Sequence, residues 1–341
     1  MSVDVRTTTV SDPLAGAGYE AEGLTGSVEA RSPWQQAWRR LKRDRLAVIS
    51  GVVIIIMFLL AFVGAPIAER IVGHGPNDII SGGVENYQPV GPWSKVSDGK
   101  GGETMLVLGA SDLVGRDEFL RLLYGARVSL EVGVLATALG LTLGVICGML
   151  AGYYGGATDT LVSRLTEIIM AFPLLLFLIA ISATVGDRLN DITFGGLLYP
   201  GVFSLVLVIT LFSWFYPARI IRSQVLSLRE KEFVEAARMV GSSNFRIMRS
   251  HLLPHLVGTI IVYGTVTIAI NILLESTLSF LGVGLPEPNA SWGKLLDQAV
   301  QFYTIQPWLI VWPGLMLLIV TLSFNLLGDG LRDALDPRAT L

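Results

Sequence analysis

Apolar residues along this chain gather into six long blocks separated by polar stretches, with none of the strict alternation that a membrane barrel strand shows. The blocks run from Leu46 to Val63, Val128 to Gly152, Ile168 to Val185, Leu197 to Tyr216, Leu256 to Leu274 and Trp308 to Leu327. A bilayer core about 30 Å thick asks for roughly 20 apolar helical residues, so each block crosses or comes close to it. Backbone polar groups cannot stay unpaired in lipid, which makes helices of all six. The expected fold class is an all-α polytopic membrane protein with six transmembrane helices.

Composition agrees: 52% of the 341 residues are hydrophobic and 16% charged, and the mean hydropathy is +0.59, far from an ordinary soluble domain. The net charge of -3 matters less than where the basic residues stand. Arg39, Arg40, Lys42, Arg43 and Arg45 directly precede the first block, which puts the N-terminus in the cytoplasm. Four crossings later the chain is inside again, at a segment carrying Arg219, Arg222, Arg229, Lys231, Arg238, Arg246 and Arg249 against Glu230, Glu232 and Glu235. After six crossings the tail from Asp329 onward is cytoplasmic too. Cys147 is the one cysteine and lies inside a span, so no disulfide framework is expected. The first span starts too late and runs too long for a cleavable signal, and is expected to remain in the mature protein.

The chain divides into a polar stretch 1–32, expected as a disordered cytoplasmic tail; 33–64, an amphipathic segment and the first span; 65–125, an extracytoplasmic loop or lobe; 126–330, a core of five spans with a cytoplasmic segment 217–255; and a tail 331–341. Trp34, Ala37, Trp38 and Leu41 share one helical face. That pattern suits a helix lying on the membrane surface, and equally a positive flank with aromatic anchors. In the second span Gly140, Gly144, Gly148 and Gly152 recur every fourth residue, a flat face for close helix packing, with subunit contact or gating also open. Pro173 and Pro313 predict helix kinks.

Candidate chemistry concentrates between the fourth and fifth spans. Phe233, Ala236, Ala237 and Val240 recur at helical spacing over 231–240, and Gly241 suits a left-handed helix end. A second short helix from Asn244 to Leu253 would follow, with Pro254 at its junction to the fifth span. Two short helices at an angle form a knuckle joined to two spans; it reads either as a lever for a cytoplasmic partner or as an ordinary basic connection. Among groups at membrane depth, Asn271 lies in the fifth span and Glu275 four residues on, just past its outer end. They line or seal a pathway, or bond across a subunit contact. Glu131 is the one charge inside the six spans. His251 and His255 have the spacing of a metal pair, but Pro254 interrupts the helix and no third ligand is evident, so no metal is expected.

Glu235-Ala236-Ala237, Gly241 and Leu253-Pro254 resemble the "EAA" motif of ATP-binding-cassette importer permeases. The resemblance extends through Gly115-Arg116-Asp117, Leu123-Tyr124-Gly125-Ala126-Arg127, Gly152-Tyr153-Tyr154-Gly155-Gly156, Ala171-Phe172-Pro173, Ser227-Leu228-Arg229, Leu274-Glu275, Leu278-Ser279-Phe280-Leu281-Gly282, Ser291-Trp292-Gly293 and Asn325-Leu326-Leu327-Gly328-Asp329. Over roughly residues 33 to 338 the chain is similar to the dipeptide/oligopeptide/nickel permease family, specifically its second ("C") permease subunit. Two departures stand out: His251 where the wider motif usually has an aliphatic residue, and Ala110-Ser111-Asp112 where Gly-Thr-Asp is more frequent.

The resemblance implies a type I importer permease fold with a cytoplasmic coupling helix, in the multi-pass setting of a bacterial cell membrane. It implies a heterodimer with a second permease, two cytoplasmic ATPases docked on the knuckles, and an external solute-binding protein delivering peptide. Phe233, Glu235, Ala236, Ala237, Arg238, Gly241, Leu253 and Pro254 would form the ATPase contact, with Phe233, Ala236 and Ala237 as its docking face. Neither Gly99-Lys100 nor Gly293-Lys294 continues into the Ser or Thr of a phosphate-binding loop, so ATP and Mg are expected on the partner ATPases and no cofactor on this chain, a non-catalytic subunit. Nickel chelates and oligosaccharides are alternative cargoes within the family. A stand-alone secondary transporter would call for more charge inside the spans and an internal repeat. A membrane enzyme would call for a nucleophile and base grouping.

Overall fold

A computed structural model describes residues 33–336 of the chain apart from 98 and 100. The expected tail 1–32 and the end of the tail 331–341 lie outside the described residues. The helices are α1 (Pro33–Arg43), α2 (Arg45–Val72), α3 (Glu118–Tyr154), α4 (Gly156–Met170), α5 (Leu174–Leu189), α6 (Val202–Leu228), α7 (Glu232–Met239), α8 (Asn244–Phe280), α9 (Trp292–Ala299) and α10 (Trp308–Leu335). Among the described residues, α2, α3, α6, α8 and α10 are each long and apolar enough to cross a membrane, and α4 with α5 completes a sixth span only as a bent pair.

That pair departs from the sequence reading. The kink expected at Pro173 is a break: α4 stops at Met170, α5 starts at Leu174, and the two meet at 88°. Proline offers no N–H to the preceding turn, its ring crowds the carbonyl of Ile169, and it steers Phe172 away from helical backbone. Phe172 is exposed, and its ring packs on that of Phe177 in the first turn of α5, with centroids 5.0 Å apart. Pro313, buried within α10, interrupts nothing. Two further prolines act more gently. Wide π turns at Leu60–Gly64 and Ile247–Leu252 end two residues before Pro66 and Pro254, each giving room to the carbonyl that the ring would strike.

The spans pack in the order α2, α10, α8, α3, α6, with α5 against α6. Gly144, Gly148 and Gly152 of α3 face α6 so closely that a β-carbon would lie 2.7 Å from the Trp214 carbonyl, 2.5 Å from that of Ala218 and 2.9 Å from that of Arg222; Gly140 meets Ser213 in the same seam. One apolar core joins α2, α3, α8, α9 and α10 around Leu130, Ile272, Trp292 and Val320, and a second joins α3, α5 and α6 around Val132, Leu178, Leu205 and Ile209. Between α2 and α3 lies a small lobe of two antiparallel hairpins, β1 (Val84–Glu85) with β2 (Gln88–Pro89) and β3 (Ser94–Ser97) with β4 (Glu103–Leu106). Ile80, Val90, Val96, Leu106 and Ala110 form its core. Arg116 ties the lobe to the segment before α9, pairing with Asp112 at 2.6 Å and Glu287 at 2.9 Å. Burial works against the charge on Arg116, but Glu287 and Asp112 outweigh it and raise its pKa above the ordinary guanidinium value.

Candidate functional site

The knuckle is built from the turn of backbone after α7. The Gly241 N–H reaches the Arg238 carbonyl at 2.9 Å and the Ser242 N–H reaches that of Ala237 at 3.0 Å, the paired bonds of a Schellman end. This needs a left-handed residue between them, and Gly241 has φ +80. Ser243 then caps the next helix through the Arg246 N–H at 3.4 Å. The second short helix expected over Asn244 to Leu253 is not separate: its residues are the first turns of α8, continuous with the fifth span through the wide turn before Pro254.

Packing fixes which face of α7 looks outward. Val234 and Ala237 are buried with Ile247, Met248 and Leu252 from α8, Met149 and Tyr153 from α3, and Ile221 and Val225 from α6. Phe233 packs inward too, its ring 5.1 Å from that of His255. The docking face expected from Phe233, Ala236 and Ala237 is therefore corrected: Phe233 and Ala237 hold the knuckle to the bundle, while Glu235 and Ala236 face outward. The outward apolar surface comes from Met239, Val240 and Phe245, which are 83%, 86% and 67% exposed. Val240 shares the inner stripe by spacing, but the chain has left the helix there and the side chain turns away. Leu253 is half-buried at the start of the fifth span and Pro254 is exposed beside it.

Polar contacts stiffen this mounting. The Tyr153 hydroxyl donates to Asn244 Oδ1 at 2.9 Å, and Arg229 Nη1 donates to the Gly152 carbonyl at 3.0 Å. The Arg238 guanidinium lies 5.4 Å from the centre of the Tyr153 ring. Arg222 of α6 grips Asp159 of α4, with Nη2 2.6 Å from Oδ2. Displacing α7 therefore displaces the ends of α3, α6 and α8 together.

Asn271 and Glu275 occupy a different place. Both are buried between α8 and α3, and each makes hydrogen bonds within this chain. Asn271 Nδ2 donates to Thr137 Oγ1 at 2.9 Å; the Glu275 carboxylate accepts from Ser129 at 2.8 Å, Ser279 at 2.7 Å and Ser276 at 3.3 Å. Glu275 is not past the helix end, because α8 continues to Phe280. The hydroxyls after it bond back to the helix, as Thr277 does to the Leu273 carbonyl at 2.7 Å, instead of starting a loop. Ser129 also accepts the Trp292 N–H at 3.4 Å, so this buried seam positions α9. A cavity of about 520 Å³ and another of about 450 Å³ open on the lobe, and one of about 680 Å³ lies between α6, α8 and α10 beside Gln224, Thr259 and Tyr263.

Residues 144–341 match the family described as binding-protein-dependent transport system inner membrane component, and residues 32–89 match the N-terminal transmembrane domain of oligopeptide transport permease C. The chain is 37% identical to the dipeptide transport system permease protein DppC of Alkalihalophilus pseudofirmus, covering 91% of each chain. It is 36% identical to the oligopeptide transport system permease protein OppC of Haemophilus influenzae over 91% of this chain and 90% of that one. To the glutathione transport system permease protein GsiD of Pectobacterium atrosepticum it is 33% identical, covering 90% of this chain and 92% of that one. In fold it is similar to a chain of the MetNI methionine ABC transporter in an inward-facing crystal form, with a TM-score of 0.50 at 17% identity over 64% of this chain and 97% of that one.

Proposed function

The chain belongs to the binding-protein-dependent transport system inner membrane component family, and from that footing we propose that it is the non-catalytic, pore-forming subunit of an ATP-driven importer of peptides. One observation carries the reading. A knuckle that bares three apolar side chains, Met239 at the end of α7, Val240 in the turn after it and Phe245 at the start of α8, is mounted on the ends of three spans. Such a surface fits a groove on a partner and passes the partner's motion into the bundle.

In this reading the knuckle and both termini face the cytoplasm, as the basic residues around them favour, and the lobe faces outward. Partner ATPases bind ATP and Mg and dock on the knuckle. A second permease completes the pore, and a solute-binding protein delivers cargo on the lobe side. Relatives named for dipeptides, oligopeptides and glutathione support a peptide cargo.

The test is purification of the tagged chain from its native membrane in mild detergent, with mass spectrometry of what accompanies it and an ATPase assay. A second permease and ATPases that hydrolyse ATP are the expected result. A lone, inactive chain would overturn the reading.

A further inference from the structure

Between α6, α8 and α10 the bundle does not close. Where Gly328 of α10 meets α8, a β-carbon on it would lie 2.8 Å from Thr265 Oγ1 and 3.1 Å from Val266 Cγ2, so the two helices touch there. About two turns nearer the start of α8, a β-carbon on Gly258 would find nothing closer than Leu335 Cβ at 4.0 Å. The helices have diverged, and the cavity of about 680 Å³ occupies the space between them and α6.

The two ends of this cavity differ in chemistry. His255, Arg332 and Asp336 stand at its mouth, all exposed. Arg40 of α1 reaches the same place, its Nη1 donating to the Asp336 carbonyl at 2.8 Å. Two guanidiniums and an imidazole thus gather at the mouth with one carboxylate. Deeper in, the walls are the half-buried Ile220, Val262 and Val266. Polar groups are few at that depth: Gln224 Nε2 already donates to Thr259 Oγ1 at 3.0 Å, and Tyr263 lies beside them. From His255 to Val266 the helix rises about 16 Å, close to the thickness of one hydrocarbon leaflet, about 15 Å.

We propose that the cavity holds an anionic phospholipid of the inner leaflet, its phosphate at the mouth with Arg332, His255 and Arg40 and an acyl chain along Ile220, Val262 and Val266; the inference takes its orientation from the import reading above. Chemistry selects this occupant. Free phosphate would use the mouth and leave the apolar length empty. A peptide would carry backbone N–H and C=O groups into that length, where partners are too few and each unpaired group costs free energy. An amphiphile with a negative head suits both ends.

The test uses the transporter purified as above and reconstituted in nanodiscs of phosphatidylcholine with added phosphatidylglycerol, with bound lipid read by native mass spectrometry. Phosphatidylglycerol should be retained in preference to phosphatidylcholine. Gly258→Leu places a side chain in the cavity, and leucine favours helix more than glycine. Its melting temperature should hold or rise, while affinity for phosphatidylglycerol falls about tenfold or more. Arg332→Gln should weaken binding about fivefold. Lys42→Gln, two residues along α1 from Arg40 and on its other face, should hardly change it. Equal losses from Arg332→Gln and Lys42→Gln would mean attraction by the basic surface as a whole and overturn the proposal. So would unaltered affinity in Gly258→Leu, or displacement of the lipid by excess inorganic phosphate, which marks a free-anion site. No retained lipid in the unsubstituted transporter overturns it as well, as when the second permease covers the groove. Retained lipid on a chain that purifies without ATPases would instead overturn the import reading and leave this site standing.

Discussion

Two turns project from opposite ends of this molecule, joined by α3, whose 37 residues span about 55 Å. Both rely on left-handed backbone. At the knuckle the residue is Gly241, φ +80, and a β-carbon there would meet nothing within 4 Å. At the lobe it is Tyr87, φ +60. The first turn is free of strain and ends a helix held to three spans through Val234 and Ala237; the second is strained and its side chain is 94% exposed. On the reading proposed above, a turn that transmits motion is relaxed and stands on a packed helix, whereas one that transmits none needs neither.

The largest effect should come from removing the knuckle's apolar contact while leaving its mounting intact. Met239→Asp with Val240→Asp places two carboxylates where a partner's groove would have to desolvate them. Both positions are exposed, so the chain's own stability should move by no more than about 0.5 kcal/mol each. The expected result is loss of the ATPases from the purified complex with unchanged melting of the chain; their retention would place docking elsewhere.

Gly241→Val comes next and tests the relaxed turn alone. A β-carbon here meets nothing within 4 Å, so the main cost is conformational, on the order of 1–3 kcal/mol for a β-branched residue held at this φ. The ATPases should still co-purify and hydrolyse ATP, while peptide uptake falls severalfold because the knuckle no longer holds its angle. Gly241→Ala should lie between, costing about 1 kcal/mol. Normal uptake in the valine variant would contradict the lever.

Tyr153→Phe is subtler. It deletes the bond to Asn244 without disturbing the ring under Arg238, and one such bond contributes about 1 kcal/mol. A small drop in melting temperature and faster hydrogen exchange over 232–246 are expected, with uptake reduced less than in Gly241→Val. Equal exchange in both proteins would show that apolar packing alone fixes the knuckle.

What could be read in the sequence divides along the same line. The spans other than the third were legible because twenty apolar residues admit few alternatives, and Gly241 was legible because a helix end is a local event. The broken third span was not, since Pro173 and Pro313 look alike until burial around each is known. The outward face of α7 depends on Tyr153 and Ile221, distant in sequence, and so Phe233 and Ala237 were placed on the wrong side. Glu275 was set just past the outer end of the fifth span because the apolar block ends at Leu274, although the helix runs on to Phe280 and the hydroxyls of Thr277 and Ser279 find partners within it. In the lobe, strands of two and four residues are too short to carry a legible period.

The smallest predicted effect tests the strain in the lobe turn, where Glu85 pairs with Gln88 and leaves Asn86 and Tyr87, with φ of 51 and 60, between the strands. Asn86 occupies the first left-handed position of the same turn, where asparagine is already well tolerated. Asn86→Gly therefore relieves little backbone energy and loosens the unfolded chain slightly, so the melting temperature should hardly move. Tyr87→Gly removes strain on the order of 1–3 kcal/mol, partly offset by the freedom of glycine in the unfolded chain, so its melting temperature should rise by more. Neither substitution should change uptake, because this turn transmits no motion. Equal melting temperatures in the two variants would mean that the second position carries no strain, and loss of uptake in either would mean that the lobe turn transmits motion after all; on either count the contrast drawn between the knuckle and the lobe would fail.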